Sequence, residues 1–298
     1  MFDITPTLDC GGRILSLDRA RVVGIVNVTP DSFSGDGLSA TPDAAIALGM
    51  RMLEEGADAL DVGGESTRPG ADEVSVEEEL RRVIRVIEKL ARDCAVPIWI
   101  DTSKPEVMRA AVAAGAGLIN DVNALRRDGA MDAAAELRVP VVLMHMQGDP
   151  RTMQDAPYYD DVVSEVHRFL AERIFACETS GIAKKKIVVD PGFGFGKTLE
   201  HNLALLRQLA RFTDLGVPVL AGLSRKGMIG ALTDRAQGER VHGSVAAAMI
   251  AVRYGARLVR VHDVGATVDA LKVWEAVAGQ VVPKGKGAPA VPKWGDED

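Results

Sequence analysis

Polar residues that could bind a ligand follow eight separate apolar runs of this 298-residue sequence. Each run is rich in Val, Ile and Leu, and stops at or just before one of these residues. They are Asn27, Asp61, Asp101, Asn120, His145, Asp190, Ser224 and His262. Parallel strands buried on both faces have this composition, and in a barrel of such strands all the carboxyl ends open onto one face. We therefore expect these residues to gather around a single pocket, with Asp61 and His145 supporting neighbouring loops and the other six contacting the ligand.

Several cations fall in the same strand-end segments. Lys197 lies in one of them, Arg225 and Lys226 lie in another, and Arg260 precedes His262 by two residues. Residues two apart on a strand point to the same side, so Arg260 and His262 are predicted to face the pocket together. In a chain with a formal net charge of −7, such a local group of cations favours an anionic ligand, for example a diphosphate.

Two carboxylates and one carboxamide end three of the predicted strands, at Asp101, Asp190 and Asn120. Carboxylates accept hydrogen bonds from N–H groups, and a carboxamide both accepts and donates. The set therefore suits the polar edge of an aminopyrimidinone ring. The alternative is that the carboxylates are solvated or cap neighbouring helices.

Glycine-containing segments follow the first, second and sixth predicted strands, at 27–37, 61–70 and 190–198. The third contains Gly-Lys-Thr, but a phosphate-binding P-loop needs a glycine where this chain has a proline, and its glycines also lack the dinucleotide-binding spacing. We interpret it as a loop that passes close to a flat ligand. In the second segment, Thr67 and Arg68 could offer a hydroxyl and a guanidinium to an oxyanion. Any one segment could be a solvated connection, but three on one rim indicate a binding site.

Recurring junctions show how helices and strands alternate. Glycine closes the helical pattern before the second, fourth and eighth strands, at Gly56, Gly115 and Gly255. Proline is predicted to start the third, fifth and seventh strands, at Pro97, Pro140 and Pro218. Glycine is favoured just past a helix end, and proline is tolerated at a strand's first position. Thr41 before a proline, and Ser75 with Glu78 as a capping box, are predicted to start two helices.

From these signals we predict a single-domain α/β fold, a (β/α)8 TIM barrel over residues 21–280. An open, doubly wound parallel sheet is the alternative topology. Residues 1–20 are predicted to contain a β-hairpin around Gly11 and Gly12 that caps the barrel. Residues 281–298, rich in Pro, Gly and Lys, are predicted to form a disordered, flexible tail.

Composition limits the class of protein. With 47% hydrophobic and 26% charged residues, the chain is an ordinary globular protein. Its negative net charge argues against nucleic acid or an anionic membrane as a partner. Three well-separated cysteines, together with the absence of a secretory leader pattern or a charge-free span, predict a cytoplasmic protein. His145 has no other histidines at zinc-ligand spacing, so we expect Mg²⁺, held by Asn27 and the phosphates of the ligand.

Taken in chain order, these segments resemble the dihydropteroate synthase family of pterin-binding barrels. The resemblance extends over nearly the whole chain from 20 to 275, and its motifs lie at 24–33, 61–70, 101–105, 120–121, 143–148, 190–197, 224–226, 241–244 and 260–264. It implies a TIM-barrel transferase of folate biosynthesis. Such an enzyme joins 6-hydroxymethyl-7,8-dihydropterin diphosphate to 4-aminobenzoate with Mg²⁺, giving 7,8-dihydropteroate and pyrophosphate. The resemblance also implies a homodimer and a sulfonamide target.

The resemblance assigns roles to residues at matching positions. Those implied to bind the pterin diphosphate are Thr67, Asp101, Asn120, Asp190, Lys226, Arg260 and His262. Those implied to lie near the aminobenzoate are Phe33, Thr67, Arg68, Pro69, Phe195 and Ser224. Asn27 is the implied metal ligand, and the implied catalytic residues are Asp101, Lys226 and Arg260.

One loop departs from the family pattern. The family usually has Ser-Phe-Ser-Asp-Gly-Gly there, whereas residues 32–37 read Ser-Phe-Ser-Gly-Asp-Gly, which moves the carboxylate to Asp36. Two other functions stay open. One is a pterin-dependent methyltransferase built on the same barrel, and the other is a non-catalytic pterin-binding paralogue. Residues 67–69 and 224–226 favour the synthase over the methyltransferase.

Overall fold

The structure is a computed structural model that describes residues 6–29, 41–66, 72–148, 152–153 and 156–278. Two antiparallel strands, β1 (Thr7–Cys10) and β2 (Arg13–Ser16), form a separate hairpin. Eight parallel strands follow. They are β3 (Arg21–Asn27), β4 (Ala59–Gly63), β5 (Ile98–Asp101), β6 (Leu118–Asp121), β7 (Val141–Met144), β8 (Ile187–Asp190), β9 (Leu220–Ala221) and β10 (Leu258–Val261).

Helices lie between these strands and after the last one. They are α1 (Pro42–Glu54), α2 (Val76–Asp93), α3 (Pro105–Ala113), α4 (Ala130–Leu137), α5 (Val162–Thr179), α6 (Leu199–Arg207), α7 (Gly227–Thr233), α8 (Val241–Arg253) and α9 (Val264–Val277). Most of the large apolar core lies between the strands and these helices. Within the described part of the chain, no helix is long and apolar enough to cross a membrane.

The parallel sheet closes on itself. Its strand order is β8-β7-β6-β5-β4-β3-β10-β9, and a parallel bridge between Val189 and Val219 joins the two outer strands. The backbone N–H of Val189 also donates to the carbonyl of Pro218 at 3.0 Å. The predicted (β/α)8 barrel is therefore confirmed, and the open sheet is wrong.

The predicted junctions are largely confirmed. Gly56, Gly115 and Gly255 follow helix ends with φ of +100°, +111° and +101°, a conformation that favours glycine. The predicted proline starts are displaced, because β5 and β7 begin one residue after Pro97 and Pro140. A proline has no N–H to donate to the neighbouring strand, so the ladder starts beyond it.

Helix starts agree with the sequence except in one detail. Thr41 caps α1, and Ser75 caps α2 by accepting a hydrogen bond from the N–H of Glu78 at 3.2 Å. The predicted capping box is only half formed, because the Glu78 carboxylate instead pairs with Arg81 and Arg82. Two arginines on the next turn of the helix give this carboxylate stronger, charged partners than the N–H of Ser75.

The hairpin lies against the N-terminal end of the barrel. Its Leu8, Cys10, Leu15 and Leu17 belong to the same buried cluster as residues at the starts of the barrel strands, including Trp99. A Cβ at Gly117 would lie only 2.2 Å from the Cys10 carbonyl oxygen, so the two backbones are in direct contact. This end is sealed with apolar side chains, which leaves the opposite end for a ligand.

The strand-end positions are confirmed in part. Asn27, Asp101 and Asp190 are the last residues of β3, β5 and β8. Asp61 is instead in the middle of β4, and Ser224 follows β9 by three residues. The predicted tail at 281–298 lies outside the described residues.

Candidate functional site

A cavity of about 130 Å³ opens at the carboxyl ends of the barrel strands. Ten of the residues singled out in the sequence line it: Asn27, Asp101, Asn120, Asp190, Phe195, Ser224, Arg225, Lys226, Arg260 and His262. Four further ones, Phe33, Thr67, Arg68 and Pro69, lie outside the described residues, as does the altered first loop with Asp36. The prediction of one shared pocket is therefore confirmed for the described residues.

Arg260 of β10 lies between two carboxylates. Its Nε donates to Oδ2 of Asp61 at 2.5 Å, and its Nη2 donates to Oδ2 of Asp101 at 2.6 Å. Burial would lower the pKa of the guanidinium, but the two carboxylates outweigh burial and raise it. Burial raises the pKa of Asp101 to about 7, although Arg260 opposes that shift. The pair thus places one permanent cation beside a carboxylate that burial makes easier to protonate than a free aspartate.

Among the described residues, Asp61 bonds to side chains of other strands and not to its own loop, contrary to the prediction. It is fully buried in β4, and its Oδ2 accepts from Nδ2 of Asn120 at 2.8 Å as well as from Arg260. The prediction failed because Asp61 was taken as a strand end. A residue in the middle of a strand points into the barrel, where its neighbours are side chains of other strands.

Asp190 and Lys226 form a second polar part of the cavity. Oδ1 of Asp190 accepts from the backbone N–H of Gly192 at 2.7 Å. Burial raises the pKa of Asp190, against the opposing effects of that N–H and of Lys226. Nζ of Lys226 lies 4.0 Å above the centre of the Phe195 ring, a cation–π contact. Burial and nearby Arg260 lower the pKa of Lys226 to about 8.

His262 is a hydrogen-bonding group rather than a cation in this structure. Its backbone N–H donates to Oγ of Ser224 at 3.1 Å, and its ring Nδ1 lies 3.1 Å from the same oxygen. Burial, with Arg225 and Arg260 nearby, lowers the pKa of His262 to about 3. At neutral pH it therefore presents a neutral imidazole, which can still donate to a phosphate oxygen.

Arg225 forms an ion pair with Asp263. Its Nε and Nη2 donate to the two carboxylate oxygens of Asp263 at 3.0 and 2.6 Å, a bidentate pair. Its backbone N–H donates to Oγ of Ser244 at 2.9 Å. These contacts fix the segment that carries Ser224 and Lys226 at the edge of the cavity.

Lys197, expected among the cations of the rim, is buried below it. Its Nζ donates to the carbonyl oxygens of Gly192 and Phe195, both at 2.9 Å, and lies 3.0 Å from Nδ1 of His145. Burial lowers the pKa of Lys197 to about 7 and that of His145 to about 2. Lys197 therefore holds the glycine-rich loop together, and the prediction that His145 supports a loop is confirmed.

The alternate glycines of that loop allow its backbone to adopt a conformation that other residues rarely take. Gly192, Gly194 and Gly196 have φ of +72°, +80° and +62°. A Cβ at Gly192 would lie 1.9 Å from the His145 carbonyl oxygen, and one at Gly196 would lie 2.4 Å from that of Gln147. The glycines thus let the loop pass close to the protein's own backbone, while Phe193 and Phe195 between them line the cavity.

Lys104 is the site-supporting residue that the sequence reasoning missed. It is buried, and its Nζ donates to Oε2 of Glu65 at 2.5 Å and of Glu79 at 2.6 Å. Glu65 lines the cavity, and its other oxygen accepts from the N–H of Val74 at 3.0 Å. The cluster therefore joins the two described flanks of the second loop. A lysine before a proline reads as an ordinary exposed helix start, so the pattern gave no signal.

The residues present are compatible with a magnesium ion that arrives with a phosphate ligand. Asn27 ends β3 and lines the cavity, so it offers one amide oxygen. Across the described residues, no group of three or more His, Cys, Asp or Glu side chains could form a protein-only metal cage. Mg²⁺ commonly keeps several waters and binds through few protein ligands plus substrate phosphates.

The barrel and its cavity define an enzyme of the pterin-binding class. Residues 23–262 match the family described as pterin binding enzyme. The chain is 54% identical over 265 residues to the dihydropteroate synthase of Escherichia coli K12, covering 89% of this chain and 94% of that relative. The chain belongs to the dihydropteroate synthase family.

Solved structures give the same result. A Xanthomonas albilineans dihydropteroate synthase with 4-aminobenzoic acid is 65% identical, with a TM-score of 0.87, covering 94% of this chain and all of that one. The enzyme from the same organism in complex with 7,8-dihydropteroate is 62% identical, with a TM-score of 0.84, covering 93% of this chain and 100% of that chain. Both the fold and the family are therefore shared over nearly the whole length.

Proposed function

We propose that this protein condenses 6-hydroxymethyl-7,8-dihydropterin diphosphate with 4-aminobenzoate to give 7,8-dihydropteroate and pyrophosphate. The observation that carries the proposal is the shared cavity of Asp101, Asn120, Asp190, Lys226 and Arg260. It holds the acceptors, the amide and the cations that a pterin ring and a diphosphate require. Relatives with the same fold bind 4-aminobenzoic acid and dihydropteroate.

The pterin is proposed to bind in the deep part of the cavity. Asp101 and Asp190 accept from its N–H groups, Asn120 completes the polar edge, and Lys226 donates to an acceptor on the ring. Arg260 lies against the ring face. Because Asp101 and Asp190 are largely buried, their hydrogen bonds to a ligand would form with little competition from water.

The diphosphate is proposed to bind where β10 meets β3. These strands are neighbours in the barrel, so His262 after β10 and Asn27 at the end of β3 flank the same seam. Arg260 supplies positive charge at this seam, and Thr67 is proposed to supply a hydroxyl. Mg²⁺ bound by Asn27 would neutralise charge on the leaving pyrophosphate.

The reaction breaks the C–O bond between the pterin methylene and the diphosphate and forms a C–N bond to the aminobenzoate amine. The products are dihydropteroate, pyrophosphate and one proton. As the C–O bond breaks, positive charge develops on the methylene and spreads into the electron-rich dihydropterin ring. Asp101 and Asp190 stabilise that charge, while Arg260 and His262 hold the leaving group. The neutral amine is already nucleophilic, so positioning takes the place of a strong general base.

The aminobenzoate is proposed to bind at the outer edge of the cavity. Phe195 and Ser224 line that edge, and Phe33, Thr67, Arg68 and Pro69 are proposed to complete it. Placement beside the Phe195 ring would set the amine next to the methylene. A sulfonamide of similar shape is expected to compete for the same space.

Release of pyrophosphate tests this function. Purified protein is mixed with pterin diphosphate, 4-aminobenzoate and Mg²⁺, and pyrophosphate and dihydropteroate are measured. Formation of both products, dependent on 4-aminobenzoate, supports the synthase. Pterin binding without product formation would support the non-catalytic paralogue, and methyl transfer from methyltetrahydrofolate to a corrinoid acceptor would support the methyltransferase.

We also propose a homodimer that works in the cytoplasm. On the adjacent helices α8 and α9, Ile250, Val273 and Val277 are exposed by 44%, 67% and 83%, and this apolar surface suits a second copy. The three cysteines, Cys10, Cys94 and Cys177, are all buried and form no disulfide, which suits a reducing compartment. Analytical sedimentation of the wild type and of Val273→Glu tests the dimer. The wild type is expected to sediment as a dimer and the variant as a monomer, and a monomeric mass for both proteins would contradict the proposal.

A further inference from the structure

Asp61 is a fully buried carboxylate beside the cavity. It does not line the cavity, yet it bonds to Asn120 and to Arg260, which both do. We propose that Asp61 is a positioning residue that fixes which polar group Asn120 presents to the pterin and how Arg260 is oriented. This inference rests on the proposed function and adds to it a residue whose contribution passes through two others.

The argument for Asn120 follows from the chemistry of its partner. An ionised carboxylate can only accept hydrogen bonds. Asp61 faces the Asn120 side chain at 2.8 Å, so the Asn120 amide must turn its NH₂ group toward Asp61. An Asn120 turned the other way would place a carbonyl oxygen against a carboxylate oxygen, which is repulsive. The carbonyl of Asn120 is therefore committed to the cavity side, where it selects a ligand that presents a hydrogen-bond donor.

The argument for Arg260 follows from the planarity of its guanidinium. Nε is fixed by Asp61 at 2.5 Å and Nη2 by Asp101 at 2.6 Å. Two contacts on different nitrogens define the plane of the group. Asp101 is also a proposed pterin ligand, and its bonds would be shared between Arg260 and the substrate. Asp61 is fully buried and is not proposed to contact the substrate, so it holds Arg260 whether or not the pterin is bound.

Nothing else among the described residues explains why a carboxylate is buried at this position. Among the described residues, Oδ1 of Asp61 has no hydrogen-bond partner, and Oδ2 accepts from Asn120 and Arg260, which both line the cavity. Burying a carboxylate is unfavourable unless its partners compensate. A purely structural role would be filled as well by an apolar side chain, as at Ala59, the preceding inward-facing position of the same strand.

The chain offers a matched control in Asp58. This carboxylate also pairs with two arginines, accepting from Arg19 at 2.7 Å and from Arg21 at 3.0 Å. It lies just before β4, at the opposite, closed end of the barrel. Asp61→Asn and Asp58→Asn are therefore the same chemical change, three residues apart, one in the middle of β4 and one just before it.

The first experiment measures the affinity for 6-hydroxymethylpterin. Asp61→Asn is expected to weaken binding by about tenfold to a hundredfold, because charged hydrogen bonds to two ligand-contacting residues are lost. Asp58→Asn is expected to leave the affinity within about twofold, because Asp58 does not line the cavity and bonds to none of the residues proposed to contact the pterin. With pterin diphosphate saturating, the KM for 4-aminobenzoate is expected to change little in either variant. Equal effects of the two substitutions on pterin affinity would overturn the proposal.

A double-mutant cycle tests the route through Asn120. In the wild-type background, Asn120→Ala is expected to weaken pterin binding about tenfold or more. In the Asp61→Asn background the same substitution is expected to cost less than about threefold, because the amide is no longer held in its productive orientation. Full additivity of the two substitutions would show that Asp61 acts independently of Asn120, and would overturn the proposal.

A third measurement is made on the wild-type protein, and a variant is needed only to assign the signals. The side-chain NH₂ signals of Asn120 are assigned by their loss in Asn120→Ala, and their exchange with deuterium is followed by NMR. Slow exchange is expected for an NH₂ that donates to a buried carboxylate. Exchange as fast as that of an exposed Asn would overturn the proposal. If wild type fails to bind the pterin at all, the proposed function falls as well, so the two failures are distinguishable.

Discussion

The interior of the barrel holds two layers of side chains with opposite character. The lower layer, against the hairpin, is apolar and consists of Val23, Ala59, Trp99, Leu118, Val142, Val188, Leu220 and Leu258. Two residues further along each chain segment lie Ile25, Asp61, Asp101, Asn120, Met144, Asp190, Gly222 and Arg260. All of the second group except Asp61 line the cavity. Residues two apart on a strand point to the same side, so the two layers are stacked along the barrel axis.

The difference between the layers shows that residues serving stability and residues serving ligand binding lie at different levels of the barrel. In the lower layer every member is apolar and buried, so its contribution is packing. In the upper layer Asp61 and Asp101 both bond to Arg260 and raise the pKa of its guanidinium. Such groups are costly to bury and are retained where they act on a ligand. We therefore expect substitutions in the lower layer to affect unfolding, and those in the upper layer to affect pterin binding.

The largest effect is expected from the lower layer. Trp99 is fully buried beneath the site, so Trp99→Ala should reduce the free energy of unfolding by about 3–5 kcal/mol through the cavity it leaves. Urea unfolding monitored by circular dichroism measures this. At a temperature where the variant is folded, the KM for pterin diphosphate should stay within about twofold of wild type. A variant with full stability but impaired binding would break the separation of the layers.

Asp101→Ala tests the upper layer. Asp101 lies on β5, two residues after Trp99. The substitution removes a proposed pterin ligand and leaves Arg260 with Asp61 alone. Loss of one partner of a buried charged pair is costly, so pterin affinity should fall by about a hundredfold or more. Calorimetric titration with 6-hydroxymethylpterin measures it. An affinity equal to that of wild type would refute the role assigned to Asp101.

A pH dependence of activity is expected from Lys226, which lines the cavity together with the upper layer. Because burial lowers its pKa to about 8, the ammonium loses its proton as the pH rises through that value. The kcat/KM for pterin diphosphate should then fall about tenfold for each pH unit above 8. Lys226→Arg keeps its charge over this range, so its profile should stay flat there. The same decline in the arginine variant would assign the titration to another group.

The smallest effect is expected outside both layers. Ser75 caps α2 through the N–H of Glu78, so Ser75→Ala should lower the free energy of unfolding by about 1 kcal/mol. Urea unfolding detects a change of this size. Activity should be unaffected, because this change leaves in place the contacts of α2 near the site, from Glu79 to Lys104 and from Arg82 to the Gly64 carbonyl. Ser75→Thr retains a capping hydroxyl and provides the control.

Much of the fold could be predicted from local signals. The apolar runs, the glycines after helix ends and the helix caps each depend on neighbouring residues, and the structure confirms them at Gly56, Thr41 and Ser75. The cavity residues at strand ends, such as Asp101 and Asp190, could also be found, because parallel strands bring their carboxyl ends together. The motifs did not reveal which charged groups pair with one another.

Lys197 and Lys104 show why that part was out of reach. Both are lysines in polar segments, where a solvated cation is the ordinary expectation. Lys197 is instead enclosed by the carbonyls of Gly192 and Phe195, and Lys104 by two carboxylates from α2 and the second loop. Each partner comes from another segment of the chain or from a tight loop, so only the folded arrangement brings them into contact.

The sequence by itself determined the parallel barrel, the hairpin and most of the polar residues that line the described part of the cavity, because these follow from periodicity and from the types of residue at strand ends. Tertiary structure alone decided that Asp61 faces inward and joins Asn120 to Arg260, residues 59 and 199 positions away along the chain. The physical reason is the short range of hydrogen bonds. A bond of 2.5 to 2.8 Å depends on the register of three strands, and no local pattern encodes that register.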